Sequence, residues 1–204
     1  DGPTGFEAEP IRIAREYLKA SCDDVLTDKL GSVIFRKKGA KDGPVILLPG
    51  HADEIGFIVS GIHKSGFLNF NPLGGWPDQV LLAQRVRVLT KGGAVPGVIA
   101  SKPPHLMNAE ERTKLVKQEN MLIDVGASNE DEAKAMGIRV GDAIVPDSRF
   151  TTITKDVYKD GKKQKDKAVI AMGKAFDNRA GLFVATEVVR RLAADKVKHP
   201  NTVL

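Results

Sequence analysis

Helical hydrophobic periodicity is confined to the two ends of this 204-residue chain, and the residues between them carry short β-type runs cut by glycine turns. This change of texture restricts the fold more than any single motif, because period-3.6 and period-2 patterns do not interconvert. Near the start, Ile11, Ala14 and Leu18 recur at spacings of three and four, with Ile13 and Tyr17 beside them. They predict a helix over Glu7–Ala20, entered through a capping box of Thr4 and Glu7. Near the end, Leu182, Val184, Ala185, Val188, Val189 and Leu192 predict a second helix over about Ala180–Ala194.

Strand-like runs follow the first helix at Gly31–Phe35 and Val45–Leu48. The second is apolar at every position, as expected of a strand buried on both faces of an α/β sheet. From about Gly66 the candidate strands are Arg85–Thr90, Gly97–Ala100, Met121–Val125, Asp142–Val145 and Phe150–Ile153. Turns at Lys91-Gly92-Gly93, Lys102-Pro103-Pro104 and Gly137 divide them, and Ser128 with Asp131 predicts a capping box for one short helix. Ala168–Met172 reads as a return to a buried strand. The order predicts an α/β domain, residues 1–65 and 169–204, interrupted by an all-β, barrel-like insert at residues 66–168.

Composition narrows the function classes. At 42% apolar and 28% charged residues the chain is neither disordered nor collagen-like. Its longest strongly apolar stretches, Val45–Pro49 and Leu182–Ala185, fall far short of the roughly 20 residues a membrane helix needs, so no membrane span is expected. A single cysteine, Cys22, excludes an internal disulfide; with no secretory signal visible at Asp1-Gly2-Pro3, a cytoplasmic protein is expected. The net charge is +5, but the lysine-dense Lys155–Lys167 segment also holds Asp156, Asp160 and Asp166, and its sole aromatic is Tyr158. It lacks a stacking platform for bases and reads as a solvated hairpin, so no nucleic-acid partner is expected.

Chemistry concentrates in two segments. In Pro49-Gly50-His51-Ala52-Asp53-Glu54, directly after the second run, residues two apart point the same way in extended backbone, which projects His51 and Asp53 together. Open α/β sheets bind ligands at such strand ends. A histidine suits a borderline cation such as zinc, and a neighbouring carboxylate orients it. In Lys174-Ala175-Phe176-Asp177-Asn178-Arg179 two readings stand: Asp177 or Asn178 caps the following helix, or Asp177 bridges a pair of cations. Composition does not choose between them.

These segments, with Gly2–Glu7, Pro72-Leu73-Gly74-Gly75-Trp76, Ser101-Lys102-Pro103-Pro104-His105-Leu106 and Ile123-Asp124-Val125-Gly126-Ala127, resemble the dinuclear-metal aminopeptidases of metallopeptidase family forty-two. The group includes tetrahedral aminopeptidases and proteins labelled glutamyl aminopeptidase or endoglucanase M. The resemblance implies a phosphorylase/hydrolase-like metallopeptidase domain that removes N-terminal residues from short peptides. It implies His51 and Asp177 as metal ligands, Asp177 bridging, and Asp53 as the catalytic-site carboxylate that orients the ligands. It implies two divalent cations, zinc foremost with cobalt or manganese as alternatives, and a cis Asp177-Asn178 bond. It also implies a dimerisation role for the insert, and dimers assembling into a tetrahedral dodecamer.

Family members continue into a Glu-Glu pair that supplies a general base and a ligand. After Asp177 this sequence offers only Glu187, inside the helical pattern, and Glu110-Glu111 reads as the first turn of a surface helix. The resemblance therefore implies an amino-terminal part with an incomplete site and little activity alone. The alternative is a non-catalytic assembly module built around the β insert, its metal residues relics. Glycoside hydrolysis, suggested by a family label, lacks a carboxylate pair at recognisable spacing. His63, His105, Trp76 and Cys22 read as structural or interface residues, His199 lies too early for the late histidine ligand, and Lys91–Gly97 reads as a turn.

Overall fold

A computed structural model describes residues 1–41 and 43–204. In chain order its elements begin with α1 (Ala8–Leu18), β1 (Asp24–Thr27), β2 (Val33–Arg36), β3 (Gly56–Ile62) and β4 (Leu68–Leu73). Then follow β5 (Arg85–Thr90), β6 (Gly93–Ser101), β7 (Met121–Asp124), α2 (Glu130–Ala135) and β8 (Ala143–Pro146). The last are β9 (Thr151–Lys159), β10 (Lys162–Met172) and α3 (Phe176–Ala194). Residues 1–54 with 175–204 form one compact unit, and residues 55–174 another.

The first unit packs α1 and α3 with the β1–β2 pair. Leu18 and Ala14 on α1, Phe35 on β2, Val189 on α3 and Val203 make its core, with Cys22, Val33, Leu48 and Leu192 against it. Tyr17 on α1 donates to Glu187 on α3 at 2.6 Å. Glu187 also accepts from Arg190 and Arg191, so its carboxyl sits far below the usual range, chiefly through Arg190 and then Tyr17.

Two expectations for this unit fail. Val45, Ile46 and Leu47 are exposed, and the segment makes a single parallel bridge, Ile46 to Val203, in place of a strand buried on both faces. Its backbone bonds run to residues 202–204 on one side, which leaves its other edge without a ladder among the described residues. The Thr4–Glu7 capping box is also absent: α1 has no side-chain cap bond, and Glu7 accepts instead from the Gly5 N–H at 2.6 Å.

The second unit is a closed six-stranded barrel in the order β3-β4-β7-β6-β5-β8, every neighbouring pair antiparallel. Alternation explains its filling: Val86 and Val88 on β5 point inward, while Arg85 and Arg87 point out to Asp147. Phe57 packs edge-on to Phe70 at 5.2 Å and stacks on Trp76 at 4.9 Å, and the Trp76 Nε1–H donates to Gly56 O. Closure removes the open edges on which strands aggregate. The β9–β10 ribbon is exposed and turns at Asp160-Gly161, both with positive φ (50° and 72°), as a two-residue type I′ hairpin requires.

The unit boundaries therefore fall at 54/55 and 174/175 and not at 65/66 and 168/169. On one side β3 is a barrel strand, paired with β4 and β8. On the other, Ala168–Met172 is the exposed end of β10, paired with β9, and not a buried strand of the α/β unit. The α2 cap is displaced by one residue: Asn129, not Ser128, accepts from the Glu132 N–H, while the Ser128 N–H donates to the Glu132 carboxylate.

Candidate metal centre

The loop at residues 49–54 carries His51 and Asp53 past the start of α3. Gly50 permits that approach, since a Cβ there would lie 2.9 Å from the Leu182 nitrogen. His51 pairs through Nδ1 with Asp53 Oδ1 at 2.8 Å and through Nε2 with Asp177 Oδ1 at 3.1 Å. The imidazole thus stands between two carboxylates from opposite ends of the chain. Asp177 lies at the start of α3, where residues 177 and 178 depart from helical φ/ψ and the Asp177-Asn178 bond is cis.

The two open readings of that segment separate here. Asn178 Oδ1 accepts from the Gly181 N–H at 3.0 Å and so takes the capping task. Asp177 is left with its side chain 97% exposed and one oxygen on His51.

Behind this pair lies a buried tie. Glu54, 4% exposed, accepts through Oε1 from the Gly2 N–H at 3.0 Å and from Arg179 at 3.4 Å. Arg179 also donates from Nε to the Ala52 carbonyl at 2.9 Å. Thr4 donates to Asp53 Oδ2 at 2.6 Å. That bond, ahead of the one from His51, holds the Asp53 carboxyl below the usual carboxylate range despite partial burial.

Glu54 and Arg179 were visible in the sequence only as members of longer motifs, and Thr4 only as a helix cap and a member of the Gly2–Glu7 segment. No local signal couples residues about 50 or 125 positions apart, because their pairing depends on three chain segments meeting.

A histidine nitrogen and a carboxylate oxygen facing one another are the donor types a borderline divalent cation takes, so the residues present fit two positions of a metal site. Among the described residues no group of three or more His, Cys, Asp or Glu is placed to hold a metal. The remaining candidates are spent elsewhere. Glu187 is bound by Tyr17, Arg190 and Arg191. Glu110 and Glu111 lie at a 3-10 turn, each paired with a lysine. His63 contacts Ser65 in the β3–β4 turn, His199 contacts the Asn201 carbonyl, and His105 is exposed in a second 3-10 turn.

The family model for M42 glutamyl aminopeptidase matches residues 31–204. Lysyl aminopeptidase of Pyrococcus furiosus is 38% identical over 69% of this chain and 40% of its own length. Glutamyl aminopeptidase of Lactococcus lactis is 34% identical over 93% of this chain and 51% of its own. Among solved structures, a TET aminopeptidase from a marine-sediment Thaumarchaeota archaeon is 51% identical with a TM-score of 0.88, over all of this chain and 54% of that one. The dodecameric PhTET1-12s is 26% identical with a TM-score of 0.76, over 99% of this chain and 54% of that one. The chain spans about half the length of these relatives.

Proposed function

Because the chain belongs to the M42 glutamyl aminopeptidase family, we propose that it carries part of the dinuclear metal centre of an aminopeptidase acting on the N-terminal residues of short peptides. The observation that carries this reading is the facing pair of His51 Nε2 and Asp177 Oδ1, 3.1 Å apart. Aminopeptidases of this family are generally metal-dependent, and the relatives named above are aminopeptidases.

In this reading His51 and Asp177 would hold the cations, and Asp177 keeps a second oxygen unused by His51. Zinc is the first choice, with cobalt and manganese accepted by the same donors. When bound, such cations activate water and polarise a scissile carbonyl. The chain's own residues do the rest of what is visible here. Asp53 accepts at His51 Nδ1 and so directs the other ring nitrogen toward Asp177. Arg179 locks the Ala52 carbonyl, beside His51, to the start of α3.

Two converging donors are fewer than the four zinc takes, so the 204 residues by themselves are expected to turn over peptide slowly. The relatives' longer chains leave room for the further ligands and a general base. Homo-oligomers with the barrel as the pairing surface, and a cytoplasmic setting consistent with the single free thiol of Cys22, belong to the same proposal. Elemental mass spectrometry after dialysis against zinc tests it. Bound metal that falls in both His51→Ala and Asp177→Ala is expected; equal metal in the parent and both variants would overturn it.

A further inference from the structure

We propose, resting on the metal-site reading above, that Thr4 is a positioning residue for His51, acting through the Asp53 carboxylate. Asp53 is shared between two donors: Oδ2 accepts from the Thr4 hydroxyl at 2.6 Å and Oδ1 meets His51 Nδ1 at 2.8 Å. An ionised carboxylate only accepts, so the ring nitrogen facing it carries the hydrogen. Nε2 faces a second carboxylate, Asp177, at 3.1 Å, which also accepts; a cation entering there displaces the Nε2 hydrogen, and the neutral imidazole keeps the one at Nδ1 that Asp53 holds. The Thr4–Asp53–His51 relay thereby selects the tautomer that can ligate a cation.

Packing does not make this selection. The His51 side chain is 53% exposed, so its ring is oriented chiefly by its hydrogen bonds. A carboxylate bonded at one oxygen turns about its Cβ–Cγ bond; bonded at both, its plane is fixed. The second bond comes from Thr4.

Thr4 is itself placed with care. Pro3 forms a parallel bridge with Glu54, the Glu54 N–H donates to Gly2 O at 3.0 Å, and the Thr4 N–H donates to Glu54 O at 3.3 Å. Gly2 allows the close seat, because a Cβ there would come within 2.7 Å of the Pro10 ring. The hydroxyl has no capping duty at α1, which has no side-chain cap bond. Thr4 also lies outside residues 31–204, which the family model matches.

The test compares Thr4→Val, Thr4→Ala and Thr4→Ser with the parent, each first shown to keep the parent's far-UV dichroism and unfolding midpoint. Nitrogen-15 NMR of His51 in a metal-free Asp177→Ala background, where Nε2 faces no second carboxylate, reads the tautomer, and competition with a chromophoric chelator in protein that keeps Asp177 reads zinc affinity. The parent and Thr4→Ser are expected to show His51 protonated at Nδ1, and Thr4→Val and Thr4→Ala a mixture of tautomers. Zinc affinity should fall about tenfold in Val and Ala and be restored by Ser, the lower end for outer partners of a ligand. Parent-like tautomer and affinity in both Val and Ala would overturn the proposal. Zinc binding unchanged in Asp177→Ala would instead overturn the metal-site reading, and the metal-free tautomer would still judge Thr4.

Discussion

Arg179 donates from Nε to the carbonyl of Ala52 at 2.9 Å, joining the residue after His51 to the residue two beyond Asp177. The same guanidinium reaches the buried Glu54 carboxylate at 3.4 Å, so one side chain sets the spacing of the two candidate ligands. Removing one member of a buried ion pair costs about 3–5 kcal/mol, and Arg179 is partly exposed, which places the cost at the low end. Glu54→Ala should lower stability by about 3 kcal/mol in urea unfolding. A change under about 0.5 kcal/mol, the range of ordinary surface substitutions, would show that the tie is not structural.

The division of labour at the start of α3 gives a second expectation. Asn178→Ala removes the cap to Gly181 and should cost about 1 kcal/mol in thermal unfolding. Asp177→Ala, at an exposed side chain, should stay within about 0.5 kcal/mol while losing metal. Stability losses in the reverse order would make Asp177 the cap.

The pH dependence follows from Glu187. Its folded carboxyl is depressed well below the unfolded value by Arg190, Tyr17 and Arg191, so its stabilisation is present above the unfolded pKa of about 4.3. It is lost as pH falls through the folded value. Glu187→Gln should therefore be less stable than the parent at pH 7, with the gap closing as the solution is acidified below about pH 4. Tyr17 is raised by the same carboxylate, so its contribution is present below its unfolded pKa of about 10 and fades above it. Urea midpoints across pH measure both limbs.

In the barrel, Phe57 is buried between Phe70 and Trp76. Phe57→Ala should cost about 3–5 kcal/mol, and Phe57→Leu less. Trp76 is the sole tryptophan, so its fluorescence follows this unit directly. A red-shifted Trp76 in folded Phe57→Ala is expected; parent-like emission and stability would mean that the stacking contributes nothing.

Much of this molecule could be read locally. Arg85–Thr90 was legible as β5 to the residue because alternating valines and arginines meet a glycine turn, and α1 because Ala14 and Leu18 recur at helical spacing. His51, Asp53 and Asp177 were legible as candidates because the family motifs mark them. Hydroxyls and carboxylates were not. Thr4 and Glu7 have the spacing of a cap, yet Thr4 bonds Asp53 and Glu7 bonds Gly5, and sequence does not state which of two satisfied arrangements wins.

The sequence by itself determined where the backbone is helical, where it alternates and where glycine lets it turn, since those depend on neighbours within a few residues. Only tertiary structure decided that β3 closes the barrel, that Val45–Leu48 gains one backbone neighbour, and that Thr4, Asp53, His51 and Asp177 form one line of hydrogen bonds. These outcomes depend on which distant segments exclude water from one another, and a polar side chain takes whichever partner that packing brings within reach.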